Sequence, residues 1–574
     1  MQVTETFIAS KDCSLESSIS TLLAKLDAIG FHVVERSWLN EIENIWSVHV
    51  TDRDCTRLFS NGKGGSELAA RASALGEFFE RLSTNYFWTH FYLGEKVANN
   101  PFVHYPNEQW FPAKGKAWPK GLLNTELQQF YNPDKAVRAD QLIDLNSGNA
   151  ARGICAIPYV RLRDGATAFF PVNVIGNIYV SNGMSAGNTM MEARTQALAE
   201  IFERDIKFRI IRDAICLPDV PEAVINRFPR IAAGIRGLRA AGFGIVVKDA
   251  SLGGQYPVMC VTMLHPKDQG IFASFGAHPR FEVALERALT ELLQGRALDS
   301  LGDFPAPGFD RDEIADAQNL EIHFVDSSGV ISWEFLRDTP DFAFVDWNFG
   351  TTTEEDYNWS VNCIHDSGHE IYVADFTHLG VYACRMFVPA MSEIYPIEEL
   401  QWENNTVGNL VRPGILRLPE LTQAECATLL ATLLDLELAE NLPITTLIGL
   451  AADAGTHWVD LRVGELIALL GLAAGDHDAA LDGCVWISQF GQLGEERSRV
   501  YRCIETMLQL EDYQRYDANL RLLFGDATLK QATALVTRQE QFFGLGGLGP
   551  NFEGSIMHTQ LLAAYAKVQK PQMA

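Results

Sequence analysis

Three stretches of the chain share one arrangement of apolar and polar positions. They cover residues 70–81, 193–204 and 284–295, and each is rich in Ala, Leu and Glu with no internal Pro, which predicts a helix. In each stretch polar residues recur at i, i+4 and i+7, so at about 100° per residue they form one narrow stripe on an otherwise apolar helix. The stripes consist of Ser73, Glu77 and Glu80; Gln196, Glu200 and Glu203; and Arg287, Glu291 and Gln294.

A helix that is apolar nearly all round is buried, so its polar stripe has to face something inside the protein. Asn188 and Glu192 extend the second stripe backwards. If the stripes converge, two carboxylates about 4 Å apart repel by roughly 4 kcal/mol at an effective dielectric near 20, and protons or cations have to accompany them. Oxygen ligands of this kind suit Mg²⁺, which often binds together with phosphates. The alternative is three ordinary solvated faces.

The segments that precede the three helices are also alike. Residues 58–65, 178–187 and 271–278 each predict a short apolar strand, a glycine turn and then the helix. Glycine turns and helix N-termini let backbone amides approach phosphate closely, and Lys63 adds a cation there. Because Gly62-Lys63 is followed by Gly64 rather than Ser or Thr, this segment is not a Walker A loop.

The order of the elements predicts two domains. Residues 1–410 alternate between helices, such as 15–29, and strands, such as 244–249, 258–263 and 342–346, which indicates an α/β (α+β) fold with internally repeated strand–turn–helix units. Residues 411–574 predict an all-α, TPR-like domain, including a helix hairpin at 470–481 that turns at Gly475-Asp476. This second domain either recognises a protein partner or buries a face of a homodimer.

Composition narrows the function. The chain has 574 residues, a net charge of −27 and ten cysteines. Such a charge argues against direct binding to nucleic acid or to an anionic membrane and favours a partner with a basic surface. The first residues resemble no secretion signal and no long apolar run occurs, so we expect a cytoplasmic protein with reduced thiols.

Taken together, the three motifs resemble those of the YcaO superfamily, whose members are ATP-dependent enzymes that activate peptide backbone amides. The resemblance rests on Ser-x-x-x-Glu-x-x-Glu-Arg at 73–81, Glu-x-x-Glu-Arg at 200–204 and Arg-x-x-x-Glu-x-x-Gln at 287–294. It is greatest for the stand-alone members, through Lys11-Asp12, Ser18 and residues 181–189.

The resemblance implies ATP and Mg²⁺ as cofactors and assigns residues to each. No motif fixes the assignment of Lys11 and Ser18, and no catalytic residue is identified. The implied metal ligands are Glu77, Glu80, Glu192, Glu200, Glu203 and Glu291, and the implied nucleotide-binding residues are Lys11, Ser18, Ser73, Asn188, Arg204 and Arg287.

The resemblance also implies a reaction and partners. Phosphorylation of an amide oxygen makes the carbonyl carbon electrophilic, and such a transfer mainly needs positioning and charge neutralisation. Azoline-forming members end in a proline-rich tail, whereas residues 568–574 contain one proline, so we do not expect azoline formation. Stand-alone members are associated, as accessory factors, with β-methylthiolation of an aspartate in a small-subunit ribosomal protein. The ten cysteines include no Cys-x-x-Cys pair, so the sulfur insertion itself is expected in a partner methylthiotransferase.

Two other functions stay open at this point. One is a regulatory protein that senses nucleotide at the same site while its helical domain contacts partners; turnover distinguishes it from an enzyme. The other is a serine hydrolase, because 183–187 reads Gly-x-Ser-x-Gly and Ser185, Asp375 and His378 follow in a suitable order. The acidic stripe on the next helix would disfavour an oxyanion, so a glycine-rich turn that supports a ligand is the preferred interpretation.

Overall fold

The strands form three antiparallel sheets. The computed structural model describes residues 5–491 and 493–573. One sheet has the order β1-β2-β3, the second β10-β9-β8, and the third β4-β5-β11-β12-β7 with β6 also paired to β5. The strands are β1 (Val33–Ile42), β2 (Ile45–Asp52), β3 (Phe59–Gly64), β4 (Gln109–Phe111), β5 (Ile154–Arg161), β6 (Thr167–Pro171), β7 (Met184–Gly187), β8 (Gly244–Asp249), β9 (Val258–Leu264), β10 (Ile271–Ala277), β11 (Tyr372–Phe376) and β12 (Tyr382–Phe387).

Helices cover the sheets and make up the C-terminal region. In chain order they are α1 (Leu15–Ile29), α2 (Glu67–Ser83), α3 (Gly94–Ala98), α4 (Thr125–Tyr131), α5 (Val172–Val174), α6 (Met190–Arg212), α7 (Glu222–Ile225), α8 (Pro229–Ala240), α9 (Phe281–Glu291), α10 (Arg311–Ala315), α11 (Ala317–Val325), α12 (Thr353–Asp366), α13 (Glu399–Trp402), α14 (Gly408–Ile415), α15 (Gln423–Asp435), α16 (Ile444–Ile448), α17 (His457–Asp460), α18 (Val463–Ala474), α19 (His477–Phe490), α20 (Glu495–Gln509), α21 (Asp517–Phe524), α22 (Asp526–Val536) and α23 (Ile556–Gln572). None of the helices in the described ranges is long and apolar enough to cross a membrane.

The three acidic helices each follow an edge strand of a different sheet. Helix α2 follows β3, α6 follows β7 and α9 follows β10. Ser66 caps α2 by accepting a hydrogen bond from the Ala69 amide, and Thr189 caps α6 through the Glu192 amide. The predicted repeated unit is therefore confirmed as a strand followed by a helix. Each of the three sheets contains one such unit.

Glycine allows two of these helices to lie directly against their strands. A Cβ atom at Gly62 would lie 2.0 Å from the carbonyl oxygen of Ala70, and one at Gly276 would lie 2.3 Å from the amide nitrogen of Ala288. A serine two residues earlier in each strand donates its hydroxyl to a helix carbonyl oxygen. These pairs are Ser60 with Ala74 and Ser274 with Ala288. Small side chains on both sides thus bring the helix stripe close to the strand.

Some predicted elements are wrong. Gly62 and Gly64 of the first unit and Gly276 of the third lie inside strands rather than in turns, whereas Gly65 lies in a bend between β3 and α2. In the second unit, Ile175–Tyr179 forms a π-helical turn and strand β7 follows Gly183. Residues 342–346 form no strand, since the Val345 amide donates to a side-chain oxygen of Asp249 at 3.1 Å. Helix α9 ends at Glu291 instead of residue 295, because the chain then turns back towards β2 and β3.

The C-terminal region is helical, as predicted, and it contacts the first region through its last helix. The hairpin of α18 and α19 turns at Gly475, which has a φ of 79°, as the sequence indicates. Helix α23 packs on α1, and the indole of Trp88 donates to the carbonyl oxygen of Leu561 at 3.0 Å. The TPR-like character and the boundary between residues 410 and 411 stay predictions.

Candidate functional site

The stripes of α2, α6 and α9 line one cavity. Its volume is about 1870 Å³. All twelve residues that the sequence singles out contribute to its wall, so the convergence of the three stripes is a property of the fold. They are Lys11, Ser18, Ser73, Glu77, Glu80, Asn188, Glu192, Glu200, Glu203, Arg204, Arg287 and Glu291.

One end of the cavity is formed by the N-termini of α1 and α6. The ammonium of Lys11 lies 3.1 Å from a carboxylate oxygen of Glu192. The Ser18 hydroxyl donates to the side-chain oxygen of Asn188 at 2.9 Å, and the Asn188 amide group donates to Glu192 at 3.0 Å. Lys11 and Ser18, which no motif fixes, therefore join the second stripe through direct contacts.

Three further carboxylates of the stripes are paired with basic side chains. Glu77 contacts Arg81 one turn later on α2 at 2.5 Å. Glu203 lies 3.9 Å from the guanidinium of Arg287 on α9. Glu291 contacts the ammonium of Lys63 on β3. Together with Glu192, four of the six glutamates thus have an internal counter-ion.

The other two glutamates, Glu80 on α2 and Glu200 on α6, both line the cavity. In residues 5–491 and 493–573 neither has an ion-pair partner within 4.0 Å. Burial and the neighbouring charges of Glu200 and Glu77 raise the pKa of Glu80 well above its ordinary value. Burial also raises the pKa of Glu200 to about 7. A proton or a cation is needed to relieve the repulsion between them.

The residues fit magnesium ions, although their present arrangement is not a finished metal site. Among the described residues, no group of three His, Cys, Asp or Glu side chains is placed to hold a metal ion. The donors are nevertheless carboxylate oxygens, which Mg²⁺ prefers, and Glu80 and Glu200 repel each other in the absence of a cation. Displacement of the basic partners would expose the remaining oxygens.

Two arginines are suited to phosphate oxygens. The Nε atoms of Arg204 and Arg287 are buried and make no hydrogen bond with the part of the chain that the structure describes. The Arg287 guanidinium also donates to the side-chain oxygen of Gln196. Because a guanidinium is a planar set of donors, these unused positions are suited to a multivalent anion in the cavity.

The implied metal ligands and nucleotide-binding residues do not include Lys63, Arg81 or Gln196, which all line the cavity. The sequence identifies Lys63 only as a cation at the glycine turn, Arg81 only as part of the first motif and Gln196 only as part of the second stripe. Arg385 on β12 is 3% exposed and lies close enough to lower the pKa of Glu80 by its charge. A charged residue in the middle of the otherwise apolar strand Tyr382–Phe387 was the available signal for Arg385, and the flanking glycines were the signal for Lys63.

The hydrolase arrangement is not formed. Ser185 lies inside strand β7, opposite Cys384, rather than on a turn. Asp375 accepts hydrogen bonds from Arg194, and the ring of His378 contacts the side chain of Gln572 at 3.2 Å. These partners use the two groups that a triad would require, so the serine hydrolase alternative is wrong.

Comparison with known proteins identifies the family. The family model described as YcaO cyclodehydratase, ATP- and Mg²⁺-binding, matches residues 61–392, and the model of the YcaO cyclodehydratase C-terminal domain matches residues 408–574. The chain belongs to the YcaO family. The predicted membership and the predicted cofactors, ATP and Mg²⁺, are thereby confirmed.

Two bacterial proteins match the YcaO chain along nearly its whole length. The ribosomal protein S12 methylthiotransferase accessory factor YcaO of Escherichia coli (strain K12) is 47% identical, with 100% of this chain and 99% of the relative covered. A protein of Haemophilus influenzae described as uncharacterized is 46% identical, with 99% and 98% covered.

Two solved structures resemble part of this chain at low sequence identity. A heterocyclase in complex with substrate and cofactor is 17% identical with a TM-score of 0.47, covering 69% of this chain and 56% of that one. YcaO from Methanopyrus kandleri, bound with AMPPCP and Mg²⁺, is 16% identical with a TM-score of 0.40, covering 68% and 95%.

Proposed function

We propose that this YcaO protein uses MgATP to activate a backbone amide of a polypeptide. The observation that carries the proposal is the convergence of three acidic stripes with Arg204 and Arg287 in one cavity. The six carboxylates are suited to metal ions and the two arginines to phosphate groups. The combination therefore suits a triphosphate that binds together with metal ions.

We assign the cavity residues by their chemistry. Glutamates 77, 80, 192, 200, 203 and 291 would hold Mg²⁺, and Arg204 and Arg287 would contact the phosphates. Ser73 and Asn188 would line the nucleotide, while Lys11 and Ser18 would approach its base or sugar. When bound, MgATP supplies an electrophilic phosphoryl group for the amide oxygen. The protein's part is to position that group and to neutralise charge.

The size of the cavity supports a second reactant beside the nucleotide. Ligand pockets commonly have volumes of about 300–1,000 Å³, whereas this cavity has about 1870 Å³. The part beyond the stripes is bordered by Tyr86 and by Tyr395, whose hydroxyl donates to Glu321 at 2.7 Å. A polypeptide segment would enter there.

Calorimetric titration of ATP with and without Mg²⁺ tests the proposal. We expect binding that requires Mg²⁺ in the wild type and falls at least tenfold in Glu203→Ala, because one metal carboxylate is lost. Glu67→Ala removes an exposed glutamate from α2 outside the cavity and serves as the matched control, with unchanged affinity. A wild type that binds no MgATP would contradict the proposal.

The biological role that we propose is that of an accessory factor in methylthiolation of a small-subunit ribosomal protein. Identity of 47% over the full chain to a relative named for this role supports it. In a host that lacks its own copy, the gene should restore the methylthio group on the ribosomal protein, and the Glu203→Ala gene should not. Mass spectrometry of that protein measures the modified fraction.

A nucleotide sensor is the second candidate, and one contact favours it. Helix α23 of the C-terminal region packs on α1, which carries Ser18 and adjoins Lys11 at the nucleotide end of the cavity. A change at that end could therefore be transmitted to the helical region. Steady release of ADP or AMP in the presence of a polypeptide substrate supports the enzyme, whereas tight binding without turnover supports the sensor.

A further inference from the structure

Lys63 lies on a strand in the wall of the acidic cavity. It lies on β3 between Gly62 and Gly64, and both glycines pack closely against α2. A Cβ atom at Gly64 would lie 2.7 Å from the Cβ of Ala69. The side chain of Lys63 is 23% exposed, so most of it is shielded from solvent. The close packing of the two glycines fixes the position of its backbone.

The ammonium of Lys63 joins two of the three repeated units. It contacts the carboxylate of Glu291, which belongs to the third unit, while β3 belongs to the first. Glu203 and Glu77 are near enough to stabilise its charge, and Arg287 and Arg204 are near enough to oppose it. Lys63 therefore lies among the groups that we assign to metal ions and to phosphates.

Lys63 differs from the arginines of the cavity in how it can move. Arg81 is tied to Glu77 within one helix, and the guanidinium of Arg287 is shared between Gln196 and Glu203. A lysine ammonium is a compact point charge on a flexible stem of four carbons, so it can change partners without movement of the backbone.

We propose that Lys63 is an exchanging counter-ion, which neutralises Glu291 in the empty site and passes to the triphosphate when MgATP binds. The inference rests on the proposed function of the cavity. In the empty site the ammonium of Lys63 forms an ion pair with the carboxylate of Glu291. It therefore competes with a metal ion that binds without nucleotide. When the nucleotide binds together with the metal, a phosphate group replaces Glu291 as the counter-ion of Lys63. The carboxylate of Glu291 then becomes available as a metal ligand.

Opposite effects on the two ligands follow from this exchange. Removal of the charge should strengthen the binding of a divalent cation alone, because one competing cation disappears. The same change should weaken the binding of the nucleotide, because one phosphate partner disappears. A lysine that only supports the fold would weaken both, so the signs separate the two roles.

The experiment uses Mn²⁺ as a paramagnetic substitute for Mg²⁺ and measures the unbound ion by electron paramagnetic resonance without nucleotide. ATP binding at saturating Mg²⁺ is measured by calorimetry on the same protein. In Lys63→Met we expect Mn²⁺ affinity to rise about tenfold and ATP affinity to fall about tenfold. Lys63→Gln is made in parallel, so that a packing defect of one variant does not decide the result.

Two controls define the comparison. Lys248→Met removes a lysine that is also on a strand, shielded and paired with a carboxylate, Asp219 at 2.8 Å, but outside the cavity; both affinities should stay unchanged. Lys63→Arg keeps the charge and should return both affinities towards the wild type.

Loss of both affinities in Lys63→Met and Lys63→Gln, or no change in either, would overturn the exchange while leaving MgATP binding by the wild type intact. Absence of MgATP binding in the wild type would instead overturn the proposed function, and the exchange with it.

Discussion

A buried glutamate of the C-terminal helices and two partly buried glutamates of the cavity have different surroundings. Glu465 on α18 is 1% exposed, and its carboxylate accepts hydrogen bonds from Arg497 at 2.6 Å and from Tyr501 at 2.7 Å. Glu80 and Glu200 line the cavity, where carboxylates and arginines are both nearby, but neither forms an ion pair within 4.0 Å among the described residues. The same residue type is thus fully satisfied within the protein in one region and left unsatisfied in the other.

The difference separates acidic side chains that stabilise the fold from those that are available to a ligand. A buried charge is tolerated when a counter-ion and hydrogen bonds compensate it. Glu465 meets this condition with residues of its own region. Glu80 and Glu200 have no such ion pair among the described residues, and for this reason we propose them as ligands of a cation.

The largest effect is expected when the satisfied cluster is broken. Glu465→Ala leaves the guanidinium of Arg497 buried without its partner, so the free energy of unfolding should fall by about 3–5 kcal/mol. Urea denaturation measures it. Asp517→Ala breaks the exposed pair of Asp517 with Arg521, and its effect on the free energy of unfolding should be far smaller. Equal losses of the free energy of unfolding in the two variants would show that the Glu465 cluster stabilises the fold no more than an exposed ion pair does.

A smaller effect of opposite sign is expected in the cavity. Glu80→Gln removes one of two repelling carboxylates, so the free energy of unfolding without ligands should rise by about 1 kcal/mol. Affinity for MgATP should fall in the same variant. Denaturation and calorimetry on one preparation check both statements, and a loss of stability without ligands would show that Glu80 serves the fold.

The third effect is a dependence of stability on pH. The folded protein holds the proton of Glu200 up to a pKa of about 7, against an ordinary value of 4.5. Between these values the folded state binds more protons, so its free energy of unfolding should fall as pH rises. Glu200→Gln should lack this part of the fall. Urea midpoints below and above the window, in the presence of a chelator, measure it; identical slopes would contradict the assignment.

Local patterns allowed much of the fold to be predicted. Helix α1 spans residues 15–29 and strand β8 spans 244–249, both as the periodicity indicates. The strand expected at 342–346 failed because its backbone bonds to Asp249 rather than to a neighbouring strand. The predicted end of α9 was wrong for a related reason, since the chain after the helix makes contacts with β2 and β3. Remote hydrogen bonds leave no periodic signal.

The spacing of the three acidic stripes was determined by the sequence alone, because it depends only on the rotation per residue of a helix. The twelve residues could therefore be chosen before their positions were known. Glu77 has its counter-ion, Arg81, on the same helix, but the other counter-ions were decided by the tertiary structure. Lys11 and Glu192 are 181 residues apart, and Lys63 lies on strand β3 whereas Glu291 lies on helix α9. Only the packing of three separate units brings these charges together, because an ion pair depends on distance in space rather than on position in the chain.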